Sequence, residues 1–464
     1  MRPSSSPSEG LFDGIFGRGP AAAEVTDVAW LQAMLDVESA LARASAQVGL
    51  VPESAAGAIA VCCSSERYDL ADLGRAAADS GNPVVPVVAA LAAAVAAEAG
   101  PEAAGHVHRG ATSQDVLDTA TMLMAKRALQ PMLTDLAAAA ERCAELAVTH
   151  ADSLMQGRTL LQPALPTTFG LKAAGWLTAI DQVRVQLATV RDGDLAVQLG
   201  GAAGTLASLG TDGPAVVGHL ASELGLSEPV LPWHTDRSRV AALAVALAVS
   251  TGALAKVGRD VTLLCQAEIA EVSEGGDAGR GGSSTMPHKR NPVAAVTLVA
   301  CGQRAPGLLA TVLGCMPQEH DRAAGGWQAE WETVRDLLRL AGAAAAWGRD
   351  LLENLQVHPE RMRANLAANG DLPLAENVTT ALTATLGRGE AHRLVAERCR
   401  AAVNAGQSLR DALLAAPQVV SVLGAEGIAA ALDPVTTVVA VPELLGRALA
   451  SHESVEARLQ GRAG

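Results

Sequence analysis

An all-α protein is the expectation for this 464-residue chain, on grounds of composition, patterning and breakers. Apolar residues make up 49% of the sequence and aromatic ones only 2%, so the core must come from Ala, Leu and Val. Those side chains suit close-packed helices better than sheets held by aromatic cross-strand pairs. With 18% charged residues the chain is too apolar for intrinsic disorder. At roughly 100–200 residues per domain its length allows two to four domains.

Residues 1 to about 20 carry Ser, Pro and Gly without periodicity and read as a flexible arm, with Leu11, Phe12, Ile15 and Phe16 available for docking. Thr26-Asp27 should cap a helix that places Trp30, Leu31, Met34, Leu35, Val37 and Leu41 at helical spacing, and Val51-Pro52 closes that unit. Helical patterns continue to about Gly105. A polar segment, His106 to Asp115, then feeds a helix with Leu117, Ala120, Met124 and Ala128 on one face. From about residue 111 to 355, segments such as Val240 to Val249 are apolar all round and must be enclosed by other helices or other subunits. From Val357-His-Pro-Glu-Arg361 onward shorter amphipathic helices return, broken by Gly and Pro. The expected domains are therefore 1–110 with the arm, a central bundle at 111–355, and a C-terminal helical domain at 356–464.

Thirty-five basic residues against 49 acidic ones give 35 − 49 = −14. That balance repels phosphate backbones and anionic membrane surfaces, so neither nucleic acid nor membrane is an expected partner, and an anionic ligand needs a locally basic pocket. The longest apolar stretches, Val84 to Ala97 and Val240 to Ala255, fall short of the ~20 residues that span a bilayer. The start, MRPSSSPSEG, has no apolar h-region. Seven scattered cysteines without a Cys-x-x-Cys pair indicate neither a disulfide framework nor zinc, and read as core residues of a reduced, cytoplasmic protein. No cofactor or metal is expected. Gly200-Gly201-Ala-Ala-Gly204 lacks the spacing and preceding strand of a nucleotide loop and reads as a tight turn or close backbone contact.

Three segments carry chemistry. Gly281-Gly-Ser-Ser-Thr-Met-Pro-His-Lys-Arg-Asn-Pro292 follows Gly275, Gly276 and Gly279. Five glycines in eight residues, leading to hydroxyl, cationic and amide groups, fit a closing lid that excludes water and delivers a catalytic group. His108-Arg-Gly-Ala-Thr112-Ser113-Gln-Asp115 sits at a helix start, where hydroxyls, Arg109 and the helix dipole could bind an anion, or where Thr112 or Ser113 could simply cap the helix. In Met155 to Pro166, Arg158, Thr159 and Gln162 precede a Pro-punctuated turn, with a helix-capping loop as the default reading.

Together these segments resemble the fumarase/aspartase superfamily, through its Gly-Ser-Ser-x-Met-Pro-x-Lys-x-Asn lid (Gly282 to Asn291) and its His-x-Gly-x-Thr-Ser-x-Asp segment (His108 to Asp115). Within it the chain looks most like a bacterial cycloisomerase branch, on Ala111 to Asp115, Gly200 to Ala207, Pro232-Trp-His-Thr235 and Trp327-Gln-Ala-Glu-Trp331. The resemblance runs from about Thr26 to about Ala402. It implies a three-domain helical subunit with a long central bundle, a homotetramer whose active sites draw on three subunits, and proton chemistry beside a carboxylate through an aci-carboxylate intermediate. By that likeness Ser283 carries the proton, Lys289 and Asn291 steady developing charge, and Thr112, Ser113, Thr159 and Gln162 hold a small polycarboxylate, with His108 assisting. Arg237 could counter a further carboxylate or pair with acidic residues, and His234 reads equally as buried and satisfied or as substrate-facing.

Several lyases of the superfamily carry Thr-His-x-Gln in the third segment, the His serving the leaving group. Here the run is Thr159-Leu160-Leu161-Gln162. Leu160 cannot transfer a proton, and water, with a pKa of about 15.7, is a poor leaving group without an acid. A carboxylate, with a pKa of roughly 4, departs unaided. A cycloisomerase, whose substrate supplies its own carboxylate, tolerates this gap. A lyase releasing nitrite from nitrosuccinate would too. An adenylosuccinate-lyase-like C–N lyase stays open as well, as does a crystallin-like structural tetramer that keeps the fold without the activity.

Overall fold

The computed structural model describes residues 10–276 and 280–461. Residues 1–9 of the expected arm and Gly279 of the lid lead-in lie outside the described residues. Helices dominate, and the only strands among the described residues form two two-stranded antiparallel ladders. The fold is all-α, as the composition requires.

Two compact units are present. One comprises the described residues of Met1–Ala137, Gln182–Gly258 and Val296–Arg349, the other those of Ala138–Asp181, Arg259–Ala295 and Asp350–Gly464. The chain passes from one to the other inside helices Ser113–Thr149, Phe169–Thr189, Ser238–Leu264, Val293–Gly314 and Gly326–Glu353, so no linker marks the division.

In the first unit, Thr26 caps helix Asp27–Gln47 by accepting a hydrogen bond from the Ala29 amide at 3.1 Å. The apolar stripe expected there is buried, Leu31, Leu35, Val37 and Leu41 at 2% exposure or less. The arm differs from expectation. Leu11 and Phe12 are exposed, while the Ile15 carbonyl accepts from the Trp347 indole at 2.9 Å, Arg304 covers the Phe16 ring and Arg18 stacks on Trp347. Residues 10–18 are thus held by a carbonyl, cation–π contacts and an Asp13–Arg339 ion pair rather than by four apolar side chains, and Ala21 and Val25 bury the segment that follows.

Helix Ser238–Leu264 buries Leu243, Ala244, Ala246, Leu247, Leu254 and Val257, and Ala–Gly contacts make that closeness workable. A Cβ at Gly302 would collide with Ala255. Helices Ser238–Leu264 and Val293–Gly314 are long and apolar enough to cross a membrane, with 56% and 33% of their most apolar windows buried within the chain. In the second unit, Leu374, Val378, Leu382, Leu394, Leu409, Leu413, Val419 and Ile428 form one core. All seven cysteines are free thiols, five of them buried.

Candidate active site

The His108 to Asp115 segment belongs to the first unit and is organised by a carboxylate. Asp115, 1% exposed, accepts from the Thr112 amide (2.9 Å), the Gly200 and Gly201 amides (3.0 and 2.9 Å) and His234 Nε2 (2.7 Å). One side chain thereby ties the start of helix Ser113–Thr149 to two distant loops. Of the two readings of Thr112 and Ser113, capping by their hydroxyls is not what is seen: Asp115 reaches back from the third helical residue to the Thr112 amide instead. Both hydroxyls are half-buried and have no hydrogen-bond partner among the described residues, so they remain available to a ligand at a helix N-terminus. Gly200 must lack a side chain, since a Cβ would stand 2.8 Å from His234 and from Pro232.

His108 is held in the left-handed region, φ 59°, by Glu38 of helix Asp27–Gln47. Glu38 is 1% exposed; its Oε1 lies 2.6 Å from His108 Nδ1, and its Oε2 accepts from the His108 amide at 3.1 Å. Burial lowers the imidazole pKa, but the Glu38 hydrogen bond and charge, together with Asp115, outweigh it and raise the group above its ordinary 6.5. His234 is the buried, satisfied histidine of its two readings.

Arg237 requires a correction. Of its two readings the geometry fits the ion pair: the guanidinium is 3% exposed, forked onto Asp118 at 2.8 and 3.0 Å and onto Glu330 at 2.6 and 3.1 Å. Its donors are consumed within the chain, and these two carboxylates hold it cationic against burial. Glu330 and Asp118 also receive Gln318 and Trp327 at 3.0 Å.

The third segment lies in the second unit and is a β-hairpin, not a capping loop: β1 (Leu154–Thr159) pairs with β2 (Gln162–Thr168), Thr159 opposite Gln162. Its two-residue turn is Leu160-Leu161, at φ 50° and 67°, with exposures of 97% and 75%. Thr159 and Gln162 flank this tip and are exposed. The hairpin is anchored at Arg158, which forks onto fully buried Glu271 at 2.8 and 3.0 Å.

The lid is also in the second unit. It leaves β3 (Val272–Glu274), which pairs with β4 (Leu355–Val357), and returns at helix Val293–Gly314. Glu274 caps that helix by accepting from the Ala294 and Ala295 amides (3.1 and 2.8 Å), and Arg280 pairs with Asp350 at 2.7 Å. At the base, the amide and side-chain nitrogens of Asn291 both donate to the Gly281 carbonyl (2.8 and 3.0 Å), and Gly282 bridges Arg290. Gly281 is at φ +68°, where a Cβ would strike the Asn291 backbone. Between these staples Ser283 Oγ accepts from the Thr285 and Met286 amides at 3.2 and 3.1 Å. Two N–H dipoles on one hydroxyl oxygen favour the charge of an alkoxide. The Lys289 side chain is exposed with no partner among the described residues, while its amide donates to the Met286 carbonyl at 3.1 Å. Asn291 spends one donor on the loop base.

Among the predicted residues, His108, Thr112 and Ser113 lie in one short segment of the first unit, with Arg237 in that unit's buried ion network; Thr159 and Gln162 adjoin at the hairpin tip; Ser283, Lys289 and Asn291 share the lid. Sequence reasoning missed Glu38 and the organising role of Asp115. It also missed Arg322, whose guanidinium donates to Gln114 Oε1 (3.1 Å) and the Gly201 carbonyl (3.4 Å). The available signal for Glu38 was a carboxylate amid the apolar run of its helix. Asp181, His452 and Glu456 bring three potential metal-ligand atoms within 4.8 Å, but His452 Nδ1 already bonds Asp181 directly at 2.8 Å.

The profile of the lyase family matches residues 19–307, and that of the adenylosuccinate lyase C-terminus residues 371–448. The chain is 45% identical to 3-carboxy-cis,cis-muconate cycloisomerase of Pseudomonas aeruginosa, across 97% of this chain and 98% of that protein. It is 44% identical to nitrosuccinate lyase of Streptomyces davaonensis, across 95% and 94%. Among solved structures, 3-carboxy-cis,cis-muconate lactonizing enzyme from Pseudomonas putida matches with a TM-score of 0.89 at 42% identity, covering 96% of this chain and 99% of that one.

Proposed function

The chain belongs to the lyase family of the fumarase/aspartase superfamily, and from that premise we propose that it is a cycloisomerase converting 3-carboxy-cis,cis-muconate to 4-carboxymuconolactone. The observation that carries this reading is the hairpin tip. Leu160-Leu161 offers no proton donor at this position, which favours a leaving or attacking group as weakly basic as a carboxylate.

In the proposed reaction a substrate carboxylate oxygen adds to an alkene carbon. The π electrons move into the adjacent carboxylate as an aci-carboxylate, and the α-carbon then takes a proton from the Ser283 hydroxyl. The Thr285 and Met286 amides steady the resulting alkoxide until solvent reprotonates it. Lys289 balances the charge on the aci-carboxylate, while Asn291 holds the loop base. Thr112, Ser113, Thr159, Gln162 and His108 bind the remaining carboxylates. Arg237 acts on the scaffold only. No cofactor or metal enters these steps. A cytoplasmic homotetramer of three-domain subunits, with sites assembled from segments of different copies, completes the proposal.

A second reading has specific support: the nitrosuccinate lyase at 44% identity, because nitrite is also a weakly basic leaving group. Incubating the purified protein separately with 3-carboxy-cis,cis-muconate, nitrosuccinate and adenylosuccinate, while following ultraviolet absorbance and nitrite, decides between them. Loss of the muconate band alone supports the cycloisomerase. Nitrite release with the muconate band unchanged overturns it.

A further inference from the structure

The contact between Glu38 and His108 joins residues 70 positions apart and lies beside the two unpartnered hydroxyls of Thr112 and Ser113 in the chain. Glu38 engages both the Nδ1 and the backbone amide of His108, so it fixes ring position and backbone together. With Nδ1 occupied, Nε2 is the one ring nitrogen left to meet a ligand, and the side chain retains 20% exposure. The left-handed φ of His108, rare for a non-glycine residue, is held by that same two-point grip.

We propose that Glu38 is a positioning residue for the substrate, which clamps His108 so that Nε2–H is presented as a fixed cationic donor to one carboxylate of a tricarboxylate. This deepens the cycloisomerase reading and rests on it for the identity of the acid. The charged groups that act on His108 are Glu38 from helix Asp27–Gln47 and Asp115 from helix Ser113–Thr149. Both favour the imidazolium. The arrangement follows a general rule for histidine: a carboxylate that accepts from one ring nitrogen orients the ring and raises the basicity of the other, which becomes a directed donor once it is protonated. Because Glu38 itself is buried, its action on substrate passes through His108 alone.

The test uses the full-length protein as Glu38→Gln, His108→Gln and the double variant, each checked for its circular dichroism spectrum and melting temperature. Glu38→Gln should lower the His108 midpoint in an NMR titration, and at neutral pH should raise KM roughly tenfold with kcat nearly unchanged. Its kcat/KM profile should lose its alkaline limb at lower pH than wild type. The double variant should be no worse than His108→Gln alone, since Glu38 has then nothing left to position. Binding of propane-1,2,3-tricarboxylate, followed by calorimetry, should weaken in parallel in both single variants. A Glu38→Gln protein with wild-type His108 midpoint and tricarboxylate affinity overturns the proposal, as does one whose kcat falls at every pH without a change in KM. The titration and the calorimetry need no turnover. Wild-type protein inert on the muconate, with both shifts present in Glu38→Gln, would therefore fail the assigned reaction and leave the clamp standing.

Discussion

At the scale of single residues, the two groups that matter most are set up by backbone amides and by one buried carboxylate. Ser283 has an ordinary hydroxyl made more acidic by the Thr285 and Met286 amides. Ser283→Ala, with an unchanged melting curve, should lose about 10²–10⁴-fold in kcat, the range of a positioned acid or base. Turnover near wild type would remove Ser283 from the chemistry. His108 allows a pH prediction from stability alone. Burial lowers its pKa, but Glu38 and Asp115 raise it further, so the folded value lies above the ordinary 6.5. Such a base stabilises the fold fully below its unfolded pKa and gives up that contribution as pH rises through the folded value. The melting temperature of wild type should therefore exceed that of His108→Gln by most in mildly acid buffer, and the gap should close above neutrality. A gap that widened with pH would mean that His108 gains nothing from its partners.

At the scale of elements, the lid works as a loop with a stiff base and an open tip. Gly281 at φ +68° and the two Asn291 donors on its carbonyl define that base. Gly281→Ala would push a methyl into the Asn291 backbone, in a conformation that L-residues disfavour by ~1 kcal/mol or more. We expect kcat to fall at least about tenfold while the melting temperature moves little, because the lid carries few buried contacts; an unaltered kcat would show that the base need not be rigid. The extent of this loop was legible in the sequence because its glycines and polar groups are contiguous. The hairpin was not. Tight two-residue turns with positive φ ordinarily use Asn or Gly, and here both positions are Leu, so the strongest local hairpin signal is missing. The partners of Glu38, and those of Asp115 other than Thr112, were illegible for another reason: they lie 70 and about 85 to 119 positions away, beyond any local pattern.

For the whole molecule, the helical fold was legible because Ala-rich stripes and caps such as Thr26 are local facts, whereas the two-unit division was not, since it falls inside five helices. The exposed Leu160 and Leu161, and Val249 and Val296 on the long apolar helices, leave surface of the kind that other copies of a chain cover. The proposed tetramer with shared sites makes this quantitative. Two inactive proteins, one Thr112→Ala/Ser113→Ala and one Ser283→Ala, are mixed in equal amounts, unfolded and refolded together. If each site takes these segments from different copies, random assembly makes both contributions wild type in about a quarter of sites, and about a quarter of wild-type activity returns. If every site is built from one chain, no hybrid site is intact and the mixture stays inactive. Light scattering of the refolded mixture, expected at four times the subunit mass, distinguishes an inactive tetramer from failed assembly. Only an inactive tetramer would overturn the sharing.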